Sequence, residues 1–89
     1  MVARRVTREE LERLERDVNA LLDNIKVQVE GRYGYYALDY CLTSNYDPTF
    51  KRCRLVDGTL VTGLSKRELA EVLRGLRELL VREKGRSRR

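Results

Sequence analysis

The chain has 89 residues, 42% of them hydrophobic, which suits one domain with a single small core and excludes a multidomain enzyme. A chain this short buries only about 60% of the surface its unfolded form exposes, which leaves little for a deep enclosed substrate cavity beside that core, so sites are expected to be shallow or shared between chains. With no histidine, Ser-His and Cys-His nucleophile pairs and imidazole-ligated zinc sites are ruled out.

Nineteen basic side chains against 14 acidic ones give a net charge of +5. The excess sits at the ends: residues 1–5 contribute +2 through Arg4 and Arg5, residues 82–89 contribute +4, and residues 6–81 carry −1. A balanced body with basic termini predicts phosphate contact through the tails, or tails that serve solubility alone. Arginine outnumbers lysine 15 to 4, a weak pointer to a thermophilic source. No apolar run approaches a membrane span and MVARRVTREE has no signal-peptide core, so the expectation is a cytoplasmic protein.

Residues 7–24 place Leu11, Leu14, Val18 and Leu21 at steps of three and four, continued by Leu22 and Ile25, which predicts an amphipathic helix. Thr7 and Glu10 form a capping-box pair at its start. Glu9, Glu12, Glu15 and Asp17 alternate with Arg8, Arg13 and Arg16, the pattern of a solvated face with i,i+4 ion pairs. Ile25 to Glu30 alternates with period two and predicts a strand. Gly31-Arg32-Tyr33-Gly34 then supplies a turn, and Tyr35 to Leu42 a second strand, with Tyr36, Leu38, Tyr40 and Leu42 on one face. Residues 43–49 hold the only proline and read as a loop. A third strand is expected over about Phe50 to Val56, and Asp57-Gly58 as a tight turn into a short fourth strand, Thr59 to Thr62. The last helix starts at Ser65-Lys66-Arg67-Glu68, a second capping box, and ends near Lys84 with Gly85 as the terminating residue. Gly75 inside that helix marks either a close approach by another backbone or an exposed, tolerated position.

The expected architecture is therefore α+β, with two amphipathic helices on one face of a three- to four-stranded antiparallel sheet in the order α-β-β-β(-β)-α. A basic N-terminal arm (1–6) and a basic C-terminal tail (85–89) flank a single domain (7–84). The far sheet face is expected to carry Lys26, Gln28, Glu30, Tyr35 and Asp39.

Cys41 and Cys53 lie on the predicted second and third strands. They face each other if paired residue numbers sum to 94, allowing a disulfide, and are offset if they sum to 95; otherwise they are two small buried thiols. Two cysteines without histidine do not complete a zinc site within one chain, so no metal is expected, and no cofactor. GRYG has neither phosphate-loop spacing. Tyr35 with Arg52 or Arg54 offers a base-stacking platform on the sheet, alongside Arg4, Arg5, Arg86, Arg88 and Arg89 as phosphate contacts. The broad apolar surface of the last helix suggests a homodimer seam at Leu80 and Val81.

Val56 to Leu80, VDGTLVTGLSKRELAEVLRGLRELL, resembles locally the last strand and final helix of double-stranded RNA-binding domains: a glycine, SK at a helix start, then alternating small and apolar positions. The resemblance implies shared topology. It departs where Glu68 and Glu71 follow Lys66 and Arg67 in place of a lysine cluster, and where the loop SNYDPTF lacks a GPxH-like sequence. The expected function is a non-catalytic binding module, dimeric, with salt-sensitive contact to DNA or RNA through its basic ends. The alternative is a protein–protein adaptor.

Overall fold

The stripe on the first helix decides where the core forms. The computed structural model describes residues 5–86, in which α1 (Arg8–Leu21) buries Leu11, Leu14 and Val18. The Thr7 hydroxyl accepts the Glu10 amide at 3.1 Å. The Lys26 ammonium closes the other end, donating to the carbonyls of Asn19 and Leu22 at 2.7 Å each. A hairpin follows, β1 (Ile25–Arg32) against β2 (Tyr35–Leu42), paired from Ile25↔Leu42 to Arg32↔Tyr35. Gly34 provides the left-handed turn residue at φ 75°.

The chain then departs from the expected order. Residues 43–57 form an arm: a 3-10 turn (Thr43–Asn45) and a miniature hairpin of β3 (Tyr46–Asp47) with β4 (Arg52–Cys53), which is a separate two-stranded sheet. Phe50 to Val56 is therefore not the third strand of the main sheet. That place belongs to β5 (Gly58–Leu64), antiparallel to β2, giving the order β1-β2-β5. Asp57 does not make a turn between neighbouring strands. Its carboxylate accepts the Leu42 amide at 2.7 Å and the Asn45 side-chain amide at 3.1 Å, fastening both ends of the arm together. Two register shifts along β5 leave Leu60 and Gly63 as bulge residues, Gly63 at φ 76°.

The last helix, α2 (Lys66–Arg86), begins with a reciprocal capping box: the Ser65 amide donates to Glu68 at 2.9 Å and the Glu68 amide to the Ser65 hydroxyl at 3.1 Å. It runs through Gly85 rather than stopping before it, with Lys84 and Arg86 in the last turn, where cations suit the helix dipole. Both helices lie on one face of the sheet, and Leu69, Ala70 and Leu73 join the α1 stripe with Val27 and Leu38 in one core. Gly75 has open space around it, so no other backbone among the described residues approaches there.

The helices run parallel, tied by Arg74–Glu10 and Arg77–Asp17 at 2.9 Å and Lys84–Asp23 at 3.7 Å. Only part of the α1 acidic face is thus the expected intrahelical ladder, as in Arg8–Glu12 at 3.5 Å.

Candidate functional site

The far face of the sheet is not the open polar surface expected from alternation. Gln28 and Asp39 retain only 6% and 3% exposure, and Ala37 and Cys41 are fully buried. The arm folds back over this side. Cys53 donates its amide to Gln28 Oε1 at 2.8 Å, Arg52 pairs with Glu30 at 3.5 Å, and Cys53 is joined to Cys41 by a disulfide with Cα atoms 6.0 Å apart. The bridge forms in neither of the two expected registers: Cys41 sits opposite Lys26 and Cys53 opposite Tyr46, so the bond links the two sheets instead of neighbouring strands of one.

The outer edge of β1 is closed by α1. Asn19 acts as a surrogate strand, its Oδ1 accepting the Val27 amide at 2.7 Å and its Nδ2 donating to the Val27 carbonyl at 2.9 Å. Glu15 Oε2 accepts the Val29 amide at 2.6 Å. Burial pushes the Glu15 carboxyl up from its ordinary value, the Val29 hydrogen bond and the nearby Arg52 and Arg16 opposing and Glu12 reinforcing the shift. Glu15 is therefore not part of a solvated face.

Between α1 and the arm runs a cleft in two parts. The first, of about 290 Å³, is floored by Leu11, Val29, Gly31 and Tyr36 and rimmed by Arg8, Glu12, Arg16, Phe50, Lys51 and Arg52. The second, of about 500 Å³, lies among Arg16, Ala20, Lys26, Thr43, Tyr46 and Pro48, again with Lys51. Arg16 and Lys51 line both parts.

The arm's tip is built locally to present these groups. Asp47 Oδ1 accepts the amides of Thr49 and Phe50 at 2.9 and 3.3 Å, a side-chain turn after the β3 strand. Lys51 then takes the left-handed conformation at φ 54°, the only non-glycine residue to do so among the described residues. Phe50 is left 75% exposed. Arg8 and Arg52 are balanced by Glu12 and Glu30, whereas Arg16 and Lys51 have no carboxylate within ion-pair distance among the described residues. Tyr46 is hydrogen-bonded to Asn19, and its hydroxyl is pushed up by burial and by Glu15.

The residues singled out from the sequence are scattered by the fold. Tyr35, half exposed, sits at the hairpin end beside Arg32, which pairs with Asp39 at 3.3 Å. Arg54 is in the arm near the other end of β2, paired with Asp47 at 3.7 Å, so no joint platform forms with Tyr35. Arg52 borders the cleft. Arg5 and Arg86 are exposed, Arg86 3.8 Å from Glu83, while Arg4, Arg88 and Arg89 lie outside the described residues. Leu80 packs against the core and Val81 is exposed. Lys66 and Arg67 are exposed at the α2 start beside Glu68, whose carboxyl is held below its ordinary value by hydrogen bonds from Ser65.

Sequence reasoning missed Phe50, Lys51 and Arg16 as a set, because a short polar segment and one arginine in a helical alternation carry no periodic signal. Among the described residues there is no group of His, Cys, Asp or Glu fit to hold a metal, and no helix long and apolar enough to cross a membrane. Compared with known proteins, the chain matches no family model, no curated protein and no solved structure.

Proposed function

We propose that the protein is a non-catalytic binding module that makes salt-sensitive contact with nucleic acid. The observation that carries this reading is the position of Arg16 and Lys51, two cations with no acidic partner at ion-pair distance among the described residues, lining a cleft beside an exposed phenylalanine. A phosphate placed there gains charge-assisted hydrogen bonds without displacing an existing ion pair. The basic ends, Arg5 and Arg86 among them, add sequence-independent attraction. The buried carboxyl in the cleft, Glu15, is occupied by the Val29 amide and so closes a strand edge instead of serving as a base.

Labelled single-stranded and duplex oligonucleotides, titrated at low and moderate salt against the full chain and against one lacking residues 1–5 and 86–89, test the proposal. Binding by the full chain that falls steeply with salt supports it, since each neutralised phosphate contributes about −0.9 to the log–log slope on duplex and about −0.7 on single strands. Absence of binding at low salt overturns it.

A second reading, a protein-binding adaptor, is favoured by one observation. Leu42, Leu55, Val56 and Leu60 are all exposed around the end of the sheet where β2 finishes and β5 begins. In either reading a homodimer would use Val81 and the neighbouring exposed Leu79, because Leu80 is committed to its own core.

A further inference from the structure

We infer that the cleft between α1 and the arm is a site for a single-stranded dinucleotide step, with the phosphate held between Arg16 and Lys51 and one base in each part of the cleft. The inference rests on the nucleic-acid reading and names which form of nucleic acid the site takes.

Two features point to a base–phosphate–base unit. The cleft is divided, and the residues common to both parts, Arg16 and Lys51, are cationic side chains with no carboxylate at ion-pair distance among the described residues. Each part also receives an aromatic ring from the arm, Phe50 in the first and Tyr46 in the second. Volumes of about 290 and 500 Å³ are ample for one planar base on each side. Phe50, at 75% exposure, is not engaged by the core, so its ring face is open to stacking.

The same arrangement selects against a duplex. Paired bases are stacked on each other inside the helix and present only their edges, whereas an unpaired strand can splay its bases onto aromatic rings. A duplex would meet the cations of the cleft and the tails through its phosphates but would leave Phe50 unused. Of the acidic groups beside the site, Glu12 is paired with Arg8, and Glu15, which lines the first part of the cleft, accepts the Val29 amide and is attracted to Arg52 and Arg16.

The test compares a labelled ten-nucleotide single strand with a duplex of equal length, using the full chain and the variants Phe50→Ala, Lys51→Asn and Arg16→Gln, the last two also combined. Asparagine tolerates the left-handed conformation that Lys51 occupies, so that variant removes charge without straining the turn. The single strand is expected to bind at least about tenfold tighter than the duplex. Phe50→Ala should weaken single-strand binding about fivefold or more with the salt slope unchanged, and leave duplex binding as it was. The double change Lys51→Asn with Arg16→Gln should reduce the single-strand slope by about 0.7, the contribution of one phosphate, and each single change by a part of it. Equal affinity for the two forms, together with an indifferent Phe50→Ala, overturns the inference while leaving the nucleic-acid reading to the tails. No binding by the full chain to either form overturns both.

Discussion

Asn19 stands in the last turn of α1, where its side chain partners two backbone groups of β1. Replacing it by alanine leaves the Val27 amide and carbonyl buried and unpaired. Each orphaned group costs about 1–3 kcal/mol, so Asn19→Ala should lower the unfolding free energy by about 2 kcal/mol or more, read from urea denaturation with an unchanged slope. Glu15 makes a related contact at a different electrostatic cost. Its carboxyl is raised in the folded state, so between its ordinary value and its folded value the native protein binds more protons than the unfolded chain, and stability falls as pH rises through that window. Glu15→Gln keeps an acceptor for the Val29 amide and removes the buried charge. The variant should therefore gain stability relative to the parent as pH rises from 4 to 7, and a difference independent of pH would refute this account.

At the level of elements, the arm is the least self-sufficient part of the fold. Its two strands have two residues each, and its hold on the sheet comes from the disulfide, the Cys53–Gln28 hydrogen bond and the Arg52–Glu30 pair. Closing a loop of this size stabilises a protein by about 2–4 kcal/mol. Reduction by a dithiol, or the double change Cys41→Ser with Cys53→Ser, should lower the denaturation midpoint accordingly. It should also speed amide exchange over residues 46–54 well before the α1–α2 core opens, and hydrogen exchange with mass detection by segment measures both. Such bonds belong to oxidising compartments, with the interiors of hyperthermophiles as the exception.

The same elements show what was legible. Both helices, the first hairpin and the layer order followed from periodicity and capping, because a stripe on one face and a turn at Gly34 are local facts about the chain. The third strand of the main sheet was not legible as drawn. Phe50 to Val56, lying between the proline loop and Asp57-Gly58, reads as a strand, yet the disulfide and the Asp57 contacts draw that stretch across the far face and leave the place beside β2 to Gly58–Leu64. Gly58 makes this close contact possible, since a Cβ there would sit 2.7 Å from the Tyr40 ring. The cleft was invisible for the same reason: Arg16 and Lys51 are 35 positions apart, and only the folded arm brings their surroundings together.

For the molecule as a whole, the number of strands between the helices settles how the two helices run relative to each other. From α1 through β1, β2 and β5 to α2 the chain reverses four times, and the arm leaves and returns without changing the parity. An even number of reversals makes the two helices parallel, as the ion pairs between them record. Arg5 and Arg86 consequently stand at opposite poles of a helical layer, along which the 21-residue α2 alone extends about 30 Å. Among the described residues, the terminal arginines Arg5 and Arg86 are thus two separate anchor points and not one patch. A rod-like polyanion lying along α2 from one pole to the other has about nine base pairs at 3.4 Å per step to span, so a much shorter one meets the poles one at a time.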